Sequence, residues 1–366
     1  MTHPCDRVTV MSETELNAMQ QAVLEALGKE PDWVPIPREV IEGIRVQLHD
    51  GLADIAPRLT PENALWVSKH KLTTVHGCEA NHLAGLTGFE WTLGNVKGTV
   101  LHKAVELGLN WRGVIVPADV VDEALAQLAD DERQSAGPFI DNLPAGDRAQ
   151  LRSSAIDLYT KFDECFPPLK AAWRPVLESS ARYEMFDQRI NLSTRADLTL
   201  GAVGSKVIID LKSGRVQPNH REELRFYALV EAMRTGAAPR RLASYSLVTA
   251  RADVEDVTEG VLQAAVRKTV DGVRKMVELQ RDGREPVIRS GFFLFLGIAF
   301  AIEVCTMPLS SFVRRSFLHR TQYLLLSSYH IAFASSNPFD TFRVHSTPTL
   351  VPGNSFPVRT CMPVRV

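Results

Sequence analysis

The run Lys206-Val207-Ile208-Ile209-Asp210-Leu211-Lys212-Ser213-Gly214 constrains this chain more than any other stretch. Three apolar, β-branched residues in a row, Val207 to Ile209, are a strand signal, and here they run into an acid and a lysine two positions apart. Side chains alternate across a strand, so Asp210 and Lys212 share one face while Ile209 and Leu211 take the other. Ser213-Gly214 begins a turn. The carboxylate and the ammonium therefore stand where a buried strand meets solvent.

The neighbouring patterns place this strand in a sheet. Strand-like runs occupy 176–186 and 189–200, and a turn containing Gly201 and Gly204 leads from the second into 207–211. A helix over about 219–234, a strand over 242–248 and a long helix over about 257–281 follow. Upstream, 118–166 reads as mostly helical, with loops at Gly137-Pro138 and Pro144-Ala145-Gly146. The spacing of 98–108 predicts a helix that turns Leu101, Ala104, Val105 and Gly108 toward a core, with His102 beside that seam. Helical blocks around a small mixed sheet give an α/β fold with a helical insertion.

Three regions differ in character. Residues 1–60 form a helical preface, with one amphipathic stretch from Glu13 to Leu27 and then a segment broken by Pro31, Pro35 and Pro37. Residues 61–290 carry the dense α/β pattern. Residues 291–366 hold ten of the sixteen phenylalanines, no lysine, and only Glu303 and Asp340 as acids, a composition expected of a disordered or non-native tail. The apolar run from Phe292 to Val304 is short against the roughly 20 residues of a membrane helix, so no membrane partner is expected.

Composition excludes several classes. With 366 residues and 45% hydrophobic content the chain is long enough for a sizeable core. The opening from Met1 to Val10 has no basic segment followed by an apolar one, so the expected compartment is the cytoplasm. Five scattered cysteines do not make a disulfide framework. A formal net charge of -2 supplies no global attraction to nucleic acid, so any such binding needs a local basic face. Arg215, His220, Arg221 and Arg225, then Arg240-Arg241 and Arg267-Lys268, are compatible with one.

A hairpin of the 189–200 and 207–211 strands brings Asp197 toward Asp210. With His102 they make a nitrogen and oxygen donor set for a hard divalent cation such as Mg2+ or Mn2+. Such an ion polarises a phosphoryl oxygen and lowers the pKa of bound water, and Lys212 beside it is suited to negative charge building on phosphorus.

These residues resemble the motifs of the PD-(D/E)XK nuclease superfamily, in its RecB-like exonuclease branch, which includes AddAB-type and CRISPR-associated nucleases. Gly98 to His102 matches a Gly-x-x-x-His on an early helix. Arg195-Ala196-Asp197 matches a Gly-Arg-x-Asp, with Thr194 in place of glycine. Asp210-Leu211-Lys212 matches Asp-x-Lys, and Glu223 to Tyr227 matches Gln-x-x-x-Tyr with glutamate for glutamine. The resemblance covers roughly 65–290 and implies a restriction-endonuclease-like core.

It further implies His102, Asp197 and Asp210 as metal ligands, with the Leu211 carbonyl as a fourth donor, and Asp197, Asp210 and Lys212 as catalytic residues. Arg195, Glu223 and Tyr227 are then DNA-contacting or site-organising. Many relatives carry a 4Fe-4S cluster. Cys78 stands where its first cysteine would be, but the closing cysteine triplet is missing after Gly291, so no intact cluster is expected. A departure from an ancestral reading frame near Gly291 would account for both the missing triplet and the odd tail.

The implied function is a metal-dependent DNA nuclease, an exonuclease on single strands or ends in repair, recombination or defence. No Gly-x-x-x-x-Gly-Lys-[Ser/Thr] loop is present, which leaves a motor role to a separate helicase or ATPase partner. The alternative is a catalytically silent nucleic-acid-binding or scaffold subunit that keeps the fold.

Overall fold

The computed structural model describes residues 16–287, apart from 87, 89 and 132–134. The chain divides into two units, Met1–Ser290 and Gly291–Val366. The second unit, with the tail and the apolar run 292–304, lies outside the described residues.

One six-stranded sheet organises the first unit. Its strands are β1 (Leu65–Val67), β2 (Val176–Met185), β3 (Ile190–Leu200), β4 (Val207–Lys212), β5 (Arg241–Ser246) and β6 (Arg251–Asp256). The pairs β2–β3, β3–β4 and β5–β6 are antiparallel, and β1–β3 and β4–β5 are parallel. The helices are α1 (Ala18–Leu27), α2 (Arg38–Leu52), α3 (Lys69–Gly77), α4 (Glu79–Gly85), α5 (Leu93–Leu109), α6 (Pro117–Asp130), α7 (Ala136–Asp141), α8 (Ala145–Cys165), α9 (Pro218–Thr235) and α10 (Glu259–Gln280). The fold is the expected mixed α/β class, with α5 to α8 as the helical insertion between β1 and β2.

Two hydrophobic cores cover the two faces of the sheet. On one side α2, α9 and α10 pack Ile41, Leu48, Leu229 and Val273 against Ile190, Leu192 and Ile208. On the other, α5, α6 and α8 pack Leu101, Leu125 and Tyr159 against Val207, Ile209 and Leu211. Covering β4 on both faces is the physical reason for its unbroken apolar run. The alternation holds, since Val207, Ile209 and Leu211 enter the second core while Ile208 enters the first.

The sheet departs from regularity at one place, and that place positions the site. On β3, Ala196 packs in the first core and Leu198 in the second; on β2, Ala181 and Tyr183 pack in the first and Leu177 in the second. A regular strand keeps residues two apart on one face, so both strands change face around Asp197 and Glu178. Glu178 has φ 47°, a left-handed conformation unfavourable for a residue with a Cβ. The ladder pairs Leu177 with Leu198 and Ser179 with Ala196 but skips Glu178 and Asp197.

Beside this irregularity β3 forks. One of its edges pairs with β2 from Ile190 to Thr199, while the other pairs with β1 at 190–192 and with β4 only at 198–200. Residues 193–197 therefore have no strand partner on that edge, and β4 runs on past Ile209 beside β5 alone.

Several elements are faint in sequence. β1 has three residues, too few for a period, and β6 is an exposed edge strand of mostly charged residues. Gly137-Pro138, expected as a loop, lies inside α7, because Pro138 falls in the first helical turn where a missing N–H breaks no helical bond.

Gly108 of α5 faces Tyr159 of α8, and a Cβ at that position would meet the hydroxyl and stand 2.7 Å from Cζ. Gly108→Ala gains about 1 kcal/mol of helix propensity but overpacks a fully buried ring, a cost of roughly 1–3 kcal/mol. Thermal unfolding is expected to show a lowered Tm. A raised Tm would mean that the ring gives way.

Candidate active site

The fork leaves polar backbone without strand partners, and side chains of the expected motifs supply them. Odd-numbered residues of β4 direct their N–H and C=O toward β3. At Leu211, β3 is no longer there to receive them. Asp197 Oδ2 accepts from Leu211 N at 2.6 Å, and His102 Nε2 lies 3.0 Å from the Leu211 carbonyl oxygen. The Tyr227 hydroxyl donates to the Arg195 carbonyl at 2.8 Å, within the unpaired part of β3. Three motif residues from α5, β3 and α9 thus hold the fork in shape, where an unsatisfied buried backbone group would cost roughly 1–3 kcal/mol each.

His102 and Asp197 also meet directly, with Nδ1 3.3 Å from Oδ1. Burial pushes His102 down, but Asp197, Asp210 and Glu178 outweigh it and raise its pKa to about 9. In the metal-free protein this favours the charged imidazolium, with Nε2 hydrogen-bonded to the Leu211 carbonyl and Nδ1 ion-paired with Asp197. Glu178, which the sequence reading missed, completes a group: one ring nitrogen of His102 and one carboxylate oxygen each from Glu178 and Asp197 lie within 4.8 Å of one another. Burial, with Asp197 adding to it, raises the pKa of Glu178. Arg195 extends from the same turn of β3 to an ion pair with Glu178.

Asp210 stands on the other face of β4 and is bound by two lysines. Lys69 Nζ donates to Oδ1 at 2.6 Å, and Lys212 Nζ lies 2.7 Å from Oδ2, off the line of a hydrogen bond. Burial pushes Asp210 up, yet the two ammonium groups hold it well below the usual carboxylate range. Lys212 in turn donates to Glu223 Oε2 at 3.1 Å, and Asn219 and Thr73 donate to Oε1 of the same carboxylate. Glu223 thus faces the motif lysine. Tyr227 is buried, which pushes its pKa up to about 12, and its ring centroid lies 5.1 Å from Lys69 Nζ.

His102, Asp197, Glu178 and Lys69 line an open cleft of about 1250 Å³, with Trp91, Arg182 and Arg195 on its walls. The donor set fits a hard divalent cation, since it offers an imidazole, two carboxylates and a nearby backbone carbonyl, with no thiolate.

Most of the basic residues singled out in sequence are engaged elsewhere. Arg221 pairs with Asp253 and Arg225 with Glu255, tying α9 to β6. Arg240 donates to Leu27 O at 2.8 Å and Arg241 to Ala26 O at 2.7 Å, so these two cap the C-terminus of α1. His76 and His82 are hydrogen-bonded to Lys268 O and to Thr74 and Gln280 respectively. Cys78 is a free, half-buried thiol at the α3–α4 junction. Beside it, Glu79 accepts from Arg284 and from Val287 N, joining α4 to the segment that follows α10.

No family model matches the chain. No curated protein matches it either. Among solved structures, a "Putative exonuclease" from Eubacterium rectale is similar at 12% identity and a TM-score of 0.41, over 67% of this chain and 90% of that one. The protein SSO0001 is similar at 16% identity and a TM-score of 0.24, over 50% and 88%. Both scores lie too low to bear on activity, and the functional reading rests on the site.

The raised pKa of His102 links stability to pH. An ordinary histidine titrates near 6.5, so its ion pair contributes fully below about that pH and is lost as pH rises through about 9. In EDTA, the Tm is expected to fall across that window, and His102→Asn is expected to remove the fall. An unchanged slope in the variant would place the titration elsewhere.

Proposed function

We propose that this protein is a metal-dependent nuclease of the PD-(D/E)XK type, RecB-like in its motif order, that hydrolyses phosphodiester bonds of DNA at single strands or ends. The observation that carries the reading is the fork itself. His102 and Asp197, which line the cleft, converge on the buried backbone of Leu211, between Asp210 and Lys212. Structural ion pairs do not require two ligand-type side chains to meet on the central residue of an Asp-x-Lys.

His102 and Asp197, with Glu178 or Asp210, would hold a Mg2+ or Mn2+ ion, which when bound would supply Lewis-acid polarisation of a phosphoryl oxygen and a lowered pKa for bound water. The chain's own groups do the rest. Asp197 and His102 fix the Leu211 carbonyl in place, and Lys212, held between Asp210 and Glu223, helps keep the buried Asp210 carboxylate ionised. Tyr227 holds β3 at Arg195, which keeps the Asp197 carboxylate aimed at the fork. Arg195 and Arg182, on the cleft wall, are suited to the sugar-phosphate backbone. The proposed setting is the cytoplasm, with a separate helicase or ATPase as partner. Among the described residues no helix is long and apolar enough to cross a membrane.

A second reading has its own support. Glu223 neutralises Lys212 where the motif has an uncharged glutamine, which suits a silent nucleic-acid-binding or scaffold subunit. Cleavage of end-labelled single- and double-stranded DNA in Mg2+, Mn2+ or EDTA separates the two. The nuclease reading expects cleavage that requires the metal and is lost in Asp210→Asn. The asparagine is preferred because it keeps the side-chain volume and an acceptor oxygen for Lys69, whereas Asp210→Ala also leaves a cavity beside two lysines. No cleavage by folded protein would move the reading to the silent subunit.

Glu223→Gln releases Lys212 from one of its two acids. A charge-assisted hydrogen bond of roughly 1.5 kcal/mol corresponds to about tenfold in rate, so kcat is expected to rise by up to that factor. A fall in kcat would show that Glu223 positions Lys212 productively.

A further inference from the structure

Lys212 is not the cation of this site that is best placed to meet a phosphate. Its ammonium is held between Asp210 and Glu223, at 2.7 and 3.1 Å, and its side chain is only 17% exposed. The cleft wall next to His102 and Asp197 is formed instead by Lys69, which is 29% exposed. Lys69 Nζ lies 2.6 Å from Asp210 Oδ1, so one carboxylate carries a lysine on each oxygen. The Tyr227 ring lies beneath that ammonium and restricts where it can swing.

Local structure gives no reason for a lysine at 69. It is the first residue of α3, after the N-cap Ser68, where the helix N-terminus carries partial positive charge and disfavours a cation. A residue placed against its local preference marks either a functional site or strain. Here Asp210 and the cleft supply the reason. Lys71, two residues on, instead donates to Trp66 O and lies away from Asp210.

We propose that Lys69 is a second catalytic lysine, whose ammonium donates a hydrogen bond to a non-bridging oxygen of the scissile phosphate as negative charge increases there. Lys212 meanwhile stays between its two acids. No proton moves to or from Lys69 and no bond to it forms. The inference rests on the nuclease reading, and it separates from that reading because the phosphate contact exists in the bound complex whether or not cleavage follows.

The test compares wild type, Lys69→Ala, Lys69→Arg, Lys69→Gln and Lys71→Ala in two assays, with thermal unfolding of each variant as the folding control. In Mg2+ or Mn2+, Lys69→Ala is expected to lower kcat on the order of a hundredfold, as removal of one preorganised transition-state donor does. Lys71→Ala is expected to cleave like wild type. If wild type cuts nothing, the nuclease reading fails by itself, and Lys69 is then read from equilibrium binding of a fluorescein-labelled oligothymidylate in EDTA. There Lys69→Ala is expected to bind about tenfold more weakly, the weight of one charge-assisted contact. If the alanine variant does not fold, the arginine variant, which keeps the charge, is expected to exceed the glutamine variant in whichever assay is active. Wild-type kcat in Lys69→Ala, wild-type oligonucleotide binding in it where nothing is cut, or equality of the arginine and glutamine variants would overturn the proposal.

Discussion

The open fork between β3 and β4 is the constraint on which the site depends. A β-strand that loses its neighbour exposes backbone N–H and C=O groups, and in a buried setting these must find partners. Asp197 takes the N–H of Leu211, His102 takes its carbonyl, and Tyr227 takes the carbonyl of Arg195. The same three side chains are the ones that the motif order singles out for chemistry. Structural and chemical roles coincide because a fork is where a sheet presents both a concave opening and unpaired backbone. Its geometry depends on the left-handed Glu178, which skips one ladder pair and lets β2 and β3 change face together.

Charge balance is the second condition. Asp197, Asp210, Glu178 and Glu223 gather around one end of a sheet, and buried carboxylates at such density are costly without cations. His102, Lys69, Lys212 and Arg195 supply them in adjacent pairs. Each acid thereby has a positive partner in the metal-free protein. A divalent ion entering the site would displace the His102 proton. The replacement of the motif glutamine by Glu223 adds one acid to this set, and Lys212 answers it.

Much of the fold is legible in sequence because the strongest signals are periodic. The strands of β2 to β5 and the helices α5, α9 and α10 follow from apolar spacing, and His102, Asp197, Asp210 and Lys212 follow from their order on those elements. Glu178 and Lys69 were not legible. Glu178 lies in a strand of mixed polarity where nothing marks a left-handed residue, and Lys69 is one of several basic residues in Ser-Lys-His-Lys. The arginines at 221, 225, 240 and 241 read as a nucleic-acid face, yet their partners Asp253, Glu255 and the end of α1 are distant in sequence.

By itself, the sequence determined which strand carries the acid and lysine, that the two share a face, and that helices cover the sheet. These follow from alternation and periodicity, which are local properties of the chain. Only the tertiary structure decided that β4 outruns β3, that Lys69 arrives from α3 to share Asp210 with Lys212, and that Glu178 rather than Asp210 joins His102 and Asp197 within ligand distance. Those outcomes depend on where elements far apart in the chain come to rest, and no local pattern encodes the partner of a side chain more than a hundred residues away.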